Sequence, residues 1–72
     1  MQTDISRILI RRKEVERLTT LSRSRIYALM QQNLFPKPIS LGPMSVAWIE
    51  SEVKDWIVQR ITEFRKTSQE GN

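Results

Sequence analysis

The sequence predicts a mainly α-helical domain with one small β-hairpin, in the order short helix, short helix, hairpin, longer helix. Two short amphipathic segments are separated by a break at Thr19-Thr20, and two alternating segments flank Gly42-Pro43. After Glu50 an amphipathic stretch continues without glycine or proline for most of the remaining chain. Since 72 residues allow a single small core, we expect one domain. We place it at 8–66, between a flexible tail at 1–7 and a disordered tail at 67–72.

The first helix is predicted over Arg12–Thr19. Val15 and Leu18 are three residues apart there, and charged residues fill the other sides of the segment, which is typical of a short amphipathic helix. The adjacent β-branched residues Thr19 and Thr20 disfavour its continuation. The aliphatic run 8–10 just before it fits either a paired strand or an extended segment on the core, because periodicity does not separate the two.

A second helix is predicted from residue 23 to about residue 32, with Ser22 as its N-cap. Ile26, Leu29 and Met30 form its apolar stripe. Its opposite side carries small and polar residues, namely Ser24, Ala28 and Gln31, flanked by Arg25, Tyr27 and Gln32. Pro36 and Pro38 then stop the helix and impose an extended path.

The hairpin is predicted from two short alternating segments, 39–41 and 46–48, joined by the turn 42–45. Two strands alone are marginally stable in water. We therefore expect the hairpin to pack on the helices through four apolar residues, Ile39, Leu41, Val46 and Trp48.

The last helix is predicted from residue 50 to about residue 66, with apolar residues at helical spacing: Val53, Trp56, Ile57, Ile61 and Phe64. We assign Trp48, Trp56 and Phe64 to core packing rather than to stacking on single-stranded nucleic acid. The helix nevertheless carries more apolar residues than so small a core needs. This surplus predicts a homodimer or cooperative oligomer formed through Ile57, Val58, Ile61 and Phe64.

Charge and composition exclude several functional classes. The chain has 12 Lys and Arg against 8 Asp and Glu, and neither His nor Cys. Segment 7–37 carries eight basic and two acidic residues, whereas residues from 38 onward carry four basic and five acidic. This distribution favours a polyanionic partner for the first half. His and Cys are absent, and glutamates two residues apart on a helix do not face each other, so we predict no enzyme, no metal and no cofactor. The apolar runs are short, which predicts a soluble, cytoplasmic protein without a membrane partner.

Two short helices with a tight turn, followed by a hairpin and a closing helix, are typical of a winged helix-turn-helix. An α-helix fits the major groove of B-DNA, and a β-ribbon beside it reaches the backbone or the minor groove. The basic half of the chain supplies the helices that this geometry requires. We therefore predict that the partner is double-stranded DNA.

The candidate DNA-binding residues follow from this arrangement. Arg23 and Arg25, at the start of the second helix, are expected to contact bases and phosphates, and Ser24, Ala28 and Gln31 to meet base edges. Ser22 caps the helix and lies where a phosphate would approach. Tyr27 fits either a phosphate contact or core packing. Arg12 and Lys37 are predicted phosphate contacts, and Met44 and Ser45 lie in the hairpin turn.

Several separated motifs resemble one family in the same order. They are residues 21–27, 35–38, 41–43, 46–48 and 50–57, which read LSRSRIY, FPKP, LGP, VAW and ESEVKDWI. This set is similar to the AlpA family of phage regulators, which are related to phage excisionases and to the DNA-binding domain of mercury-regulator-type activators. The resemblance covers about residues 10–60. One position departs from the family pattern, because Met44 stands where an arginine commonly follows the Gly-Pro of the hairpin.

The resemblance implies a nucleoid-associated bacterial or phage-encoded regulator. It would bind a promoter or an attachment-site region of a prophage or integrated element, and control transcription there, including integrase expression or excision. Two alternatives remain at this point. One is a recombination directionality factor, and the other is a protein-interaction inhibitor that uses the same fold.

Overall fold

A computed structural model describes residues 7–70, with side chains described for residues 7–66. It has three helices and a small antiparallel sheet, which confirms the predicted winged helix-turn-helix. The elements are β1 (Leu9–Ile10), α1 (Arg12–Thr19), α2 (Arg23–Gln31), β2 (Ile39–Gly42), β3 (Ser45–Ile49) and α3 (Glu50–Glu70). Most of the tail predicted at 1–7 lies outside the described residues, as do residues 71 and 72.

The turn between α1 and α2 has the local structure that its residues favour. Thr20 closes α1 in the left-handed conformation, with φ 62°, and its N–H donates to the Glu16 carbonyl at 2.7 Å. Ser22 has extended backbone, and its Oγ accepts a hydrogen bond from the Arg25 N–H at 3.2 Å. Ser22 is therefore the N-cap of α2, as predicted.

The run 8–10 contributes a third strand to the sheet. β1 pairs antiparallel with β3, with Leu9 opposite Ile49 and Ile10 opposite Trp48, and the strand order is β1-β3-β2. The hairpin is therefore stabilised by strand pairing on both edges of β3. This pairing settles the alternative that periodicity left open between a strand and an extended segment.

One cluster of apolar side chains forms the core. Trp48, Val15, Ile26 and Val53 are fully buried, and Ile10, Leu29 and Phe35 surround them. Met30, Trp56 and Ile57 pack against this cluster and are partly buried. Every helix and two of the strands thus bury at least one side chain in the same core, which fixes α2 relative to the hairpin.

The prediction that Ile39 and Leu41 pack on the helices is wrong, since they are 40% and 49% exposed. Strand register explains the error. Ile39 pairs with Ala47 and Ser40 pairs with Val46, so Ile39 lies on the side of the sheet opposite Val46. A shift of one residue moves a side chain to the other face. Trp48, by contrast, is buried as predicted.

Helix α3 extends away from the core. Its backbone is helical to Glu70, past the predicted end near residue 66, because no glycine or proline interrupts it before Gly71. All side chains from 58 to 66 are exposed. The assignment of Phe64 to the core is therefore wrong, since this side chain is 72% exposed. None of the helices in the described part of the chain is long and apolar enough to span a membrane.

Candidate nucleic-acid interface

The outward side of α2 is exposed and free of acidic residues. Ser24, Arg25, Ala28 and Gln31 are all exposed, and no Asp or Glu occurs between Arg17 and Ile49. Burial of Ile26 and Leu29 on the opposite side fixes the rotation of the helix. The small Ala28 lies between longer polar neighbours, so the centre of this side is open to a groove-sized partner.

Tyr27 lies at one margin of this outward side. Its side chain is half-buried, and the Arg23 guanidinium lies 5.8 Å from the centre of its ring. This distance is within the range of a cation–π contact. Arg23 is thereby held beside the ring at the first residue of α2, close to the helix N-terminus that Ser22 caps.

The hairpin ends in a turn at Pro43 and Met44. Met44 has φ 57° and its side chain is fully exposed at the tip. Proline followed by a residue with positive φ is the pattern of a type II turn, in which Gly or Asn usually takes the second position. The hairpin, 39–49, contains no charged residue. Any electrostatic attraction at the hairpin must therefore come from neighbouring elements.

Arg11 supplies a positive charge beside the hairpin turn. Its Nη1 donates a hydrogen bond to Ser45 Oγ at 3.1 Å, and its backbone forms the N-cap position of α1. Sequence reasoning missed Arg11 as a site residue, because its contact spans 34 residues of chain. The available signal was the run of three consecutive basic residues at 11–13.

A cleft of about 240 Å³ brings several of these residues together. It lies between the start of α1, the middle of α2 and the hairpin turn, and its lining consists of Arg11, Arg12, Lys13, Tyr27, Met44 and Val46. Three of the predicted site residues, Arg12, Tyr27 and Met44, therefore share one cleft. Ser45 is joined to it through Arg11, whereas Lys37 does not line it.

Lys37 lies in the loop between α2 and β2, and its side chain is exposed. Two tryptophans hold this loop. Trp48 Nε1 donates to the Pro36 carbonyl at 3.0 Å, and Trp56 Nε1 donates to the Leu34 carbonyl at 2.7 Å. The Phe35 ring meets the Trp56 ring edge to face, with centroids 4.8 Å apart. Both indoles thus act within the fold, as predicted.

The two acidic residues of the basic half are paired on α1. Arg12 Nε donates to Glu16 at 2.9 Å, and Arg17 donates to both carboxylate oxygens of Glu14. The hydrogen bond from Arg17 holds the pKa of Glu14 below its ordinary value, and the positive charge of Arg17 acts in the same direction. These pairs neutralise the only acidic residues between Arg7 and Ile49.

The fold defines a winged helix-turn-helix protein, with α1 and α2 as the helix pair and β2–β3 as the wing. Residues 7–61 match the model of the family described as prophage CP4-57 regulatory protein (AlpA). The chain belongs to this AlpA family of phage regulatory proteins. It is also 48% identical over 52 residues to the uncharacterised protein ORF88 of Enterobacteria phage P4. That match covers 72% of this chain and 59% of the phage protein.

Proposed function

We propose that this protein is a sequence-specific, double-stranded-DNA-binding regulator of prophage or integrated-element genes. The observation that carries the proposal is the position of the acid-free outward side of α2 next to a basic cleft that ends at the wing. α2 has the dimensions that fit the major groove, and the wing lies beside it where the adjacent backbone or groove would run.

The candidate DNA-binding residues divide into two main roles. Arg23, Ser24, Arg25, Ala28 and Gln31 read base edges, with arginine suited to guanine and glutamine to adenine. Ser22, Arg12 and Lys37 contact phosphates and supply affinity without sequence preference. Tyr27 supports Arg23 from the margin of α2. At the wing, Met44 offers exposed apolar surface to the sugar or minor groove. Ser45, the next residue, accepts a hydrogen bond from Arg11.

A pair of variants tests this division of roles. The full chain is titrated by fluorescence anisotropy against a duplex from its own promoter or attachment region and against a duplex of random sequence. Arg25→Ala should reduce the ratio between the two affinities by about tenfold or more. Lys37→Ala should weaken both duplexes to the same extent. Equal losses on both duplexes for both variants would contradict the division.

We also propose that α3 carries a self-association surface for a second copy of the chain. Val58, Ile61 and Phe64 are 58%, 45% and 72% exposed on successive turns. An antiparallel pair of α3 helices centred on Ile61 would place Val58 of one copy opposite Phe64 of the other, and so cover the apolar stripe in both copies. Two copies would match a repeated or palindromic site.

Sedimentation of the full chain tests the self-association. The wild type should form a concentration-dependent dimer, and Ile61→Glu should remain a monomer that still binds DNA, though more weakly. Gln59→Glu, which adds the same charge at a polar exposed position, is the matched control. A wild type that stays monomeric while Ile61→Glu abolishes regulation in cells would contradict the proposal, because the surface would then serve a different protein.

Transcriptional control and assistance of excision use the same DNA-binding parts. A promoter fusion and an excision assay, run with the wild type and Arg25→Ala, separate them. We expect the promoter activity to depend on the protein. Loss of excision alone, with promoter activity unchanged by the protein, would favour a recombination directionality factor.

A further inference from the structure

We infer that the cleft between α1, α2 and the wing binds one phosphodiester group of the DNA backbone, with Arg11 and Lys13 as its ligands. This inference rests on the proposed function and assigns a site to residues that sequence reasoning did not select. Three parts of the fold line the cleft, since Arg11 lies at the start of α1, Tyr27 in α2 and Met44 in the hairpin turn. A phosphate bound there would hold α2 and the wing in one register on the duplex.

The electrostatics of the cleft favour a single anion. Of the described residues that line it, three are cationic and none is acidic. One of the three, Arg12, is already paired with Glu16, which accepts a hydrogen bond from Arg12 Nε. Among the residues that the structure describes, Arg11 bonds a neutral hydroxyl through Nη1, and that contact does not neutralise its charge. Arginine suits a phosphate because its planar fork donates two parallel hydrogen bonds, and lysine adds a point charge.

The size of the cleft also fits a phosphate rather than a larger ligand. Its volume of about 240 Å³ is below the roughly 300–1,000 Å³ of typical small-molecule sites. The cleft is open to solvent along the side where Lys13 and Met44 are exposed. A backbone phosphate can therefore enter while its sugar and base remain outside.

Arg11 supplies a positive charge beside the wing, which has no charged residue of its own. Residues 39–49 carry no charge, and Arg11 is bonded to Ser45, next to the exposed tip residue Met44. Ser45 Oγ accepts from Arg11, which leaves its own hydroxyl proton for another acceptor. Ser45 is thus a positioning residue that directs the Arg11 guanidinium towards the backbone alongside the wing.

The salt dependence of DNA binding tests the assignment. The full chain and its variants are titrated against a fluorescein-labelled duplex of random sequence over a range of salt concentrations. Loss of one phosphate contact should make the slope of log K against log salt shallower by about 0.9. We expect this change, with about a tenfold loss of affinity at low salt, for Arg11→Gln and for Lys13→Ala.

Two further variants distinguish direct contact of Arg11 and Lys13 with phosphate from an indirect effect on the fold. Lys66→Ala removes the same charge from an exposed position on α3 that does not line the cleft, and should leave the slope unchanged. Ser45→Ala keeps every charge, so it should lower affinity severalfold without changing the slope. Lys13 is exposed, so Lys13→Ala keeps the test valid if Arg11→Gln fails to fold in thermal unfolding.

The outcomes are distinct for the two proposals. A wild-type slope in both Arg11→Gln and Lys13→Ala, with the wild type binding DNA, would overturn the phosphate site and leave the proposed function intact. A wild type that does not bind the duplex at low salt would overturn the proposed function itself. Equal NMR shifts at Arg11 from inorganic phosphate and from the duplex, at matched ionic strength, would overturn the assignment to DNA.

Discussion

The Trp48 indole donates its Nε1–H to the carbonyl of Pro36 at 3.0 Å, which joins the centre of β3 to the loop that follows α2. Trp48 is fully buried in the core, so this bond fixes the loop from the inside. Lys37, the next residue along the loop, is exposed. The core side chain of Trp48 thus fixes the position of the backbone next to Lys37, a candidate DNA-binding residue.

We expect Trp48→Phe to destabilise the fold by about 2–3 kcal/mol, because it removes both buried ring volume and the hydrogen bond to Pro36. Trp56→Phe is the matched control. Its bond to the carbonyl of the exposed Leu34 can be replaced by water, so the expected cost is only about 1 kcal/mol. Urea unfolding followed by circular dichroism measures both, and equal costs would contradict this view of the core.

The N-cap of α2 gives a second prediction. Ser22→Ala removes the acceptor for the Arg25 N–H and should cost about 1 kcal/mol of stability. Ser24→Ala, two residues along the same helix at an exposed position, is the control and should change stability by less than about 0.5 kcal/mol. Chemical denaturation compares the two variants, and a Ser24→Ala cost as large as that of Ser22→Ala would exclude the cap as the cause.

Thr20 is a strained position that a substitution should relieve. It is β-branched and has φ 62°, a conformation that costs an L-residue about 1–2 kcal/mol and costs glycine little. Part of the gain is lost because glycine increases the freedom of the unfolded chain. We expect Thr20→Gly to raise the free energy of unfolding by about 0.5–1 kcal/mol.

Asn33 provides the comparison for this substitution. It has nearly the same φ, 61°, but asparagine tolerates the left-handed region well. Asn33→Gly should therefore give no gain in thermal or denaturant unfolding. A larger gain for Asn33→Gly than for Thr20→Gly would show that backbone strain does not control stability at these positions.

The Glu14–Arg17 pair should make the stability of the fold decrease at acidic pH. Because the pKa of Glu14 is lowered in the folded state, the pair stabilises the fold above the ordinary pKa of the carboxyl. This contribution is lost as the pH falls through the lowered value. Arg17→Gln should raise the pKa of Glu14 towards its ordinary value, as measured by NMR titration of its carboxyl carbon.

Arg65→Gln, an exposed change on α3, is the control for this titration and should leave the pKa of Glu14 unaltered. Arg17 is exposed and Glu14 is only half-buried, so solvent screens the pair and the accompanying change in stability should be small. If Glu14 titrated at the same pH in the wild type and in Arg17→Gln, the hydrogen bond would not be the cause of the lowered pKa.

The sequence was sufficient for features that depend on neighbouring residues. Helix α1 ends and helix α2 begins where predicted, because the Thr19-Thr20 break and the Ser22 cap act within one turn of chain. Ile39 was placed on the wrong face because its register depends on pairing with Ala47 across the hairpin. Phe64 has core-like spacing, yet α3 extends beyond the core it would join. Periodicity identifies an apolar face, but tertiary structure decides whether that face is covered.

The candidate site shows the same division. Exposure of Ser24, Ala28 and Gln31 follows from helical geometry once Ile26 and Leu29 are buried. The contact of Arg11 with Ser45 joins residues that are distant in sequence. This contact forms because β1 pairs with β3, and no local pattern in the sequence predicts that Arg11 and Ser45 are neighbours.

In vitro selection from a library of random duplexes, performed with the wild type and with Gln31→Ala, tests the central claim most directly. We expect the wild type to enrich one motif, and Gln31→Ala to lose preference at a single position, most simply an adenine, while the rest of the motif persists. Failure of the wild type to enrich any motif, or an identical motif from both proteins, would contradict sequence reading by the outward side of α2.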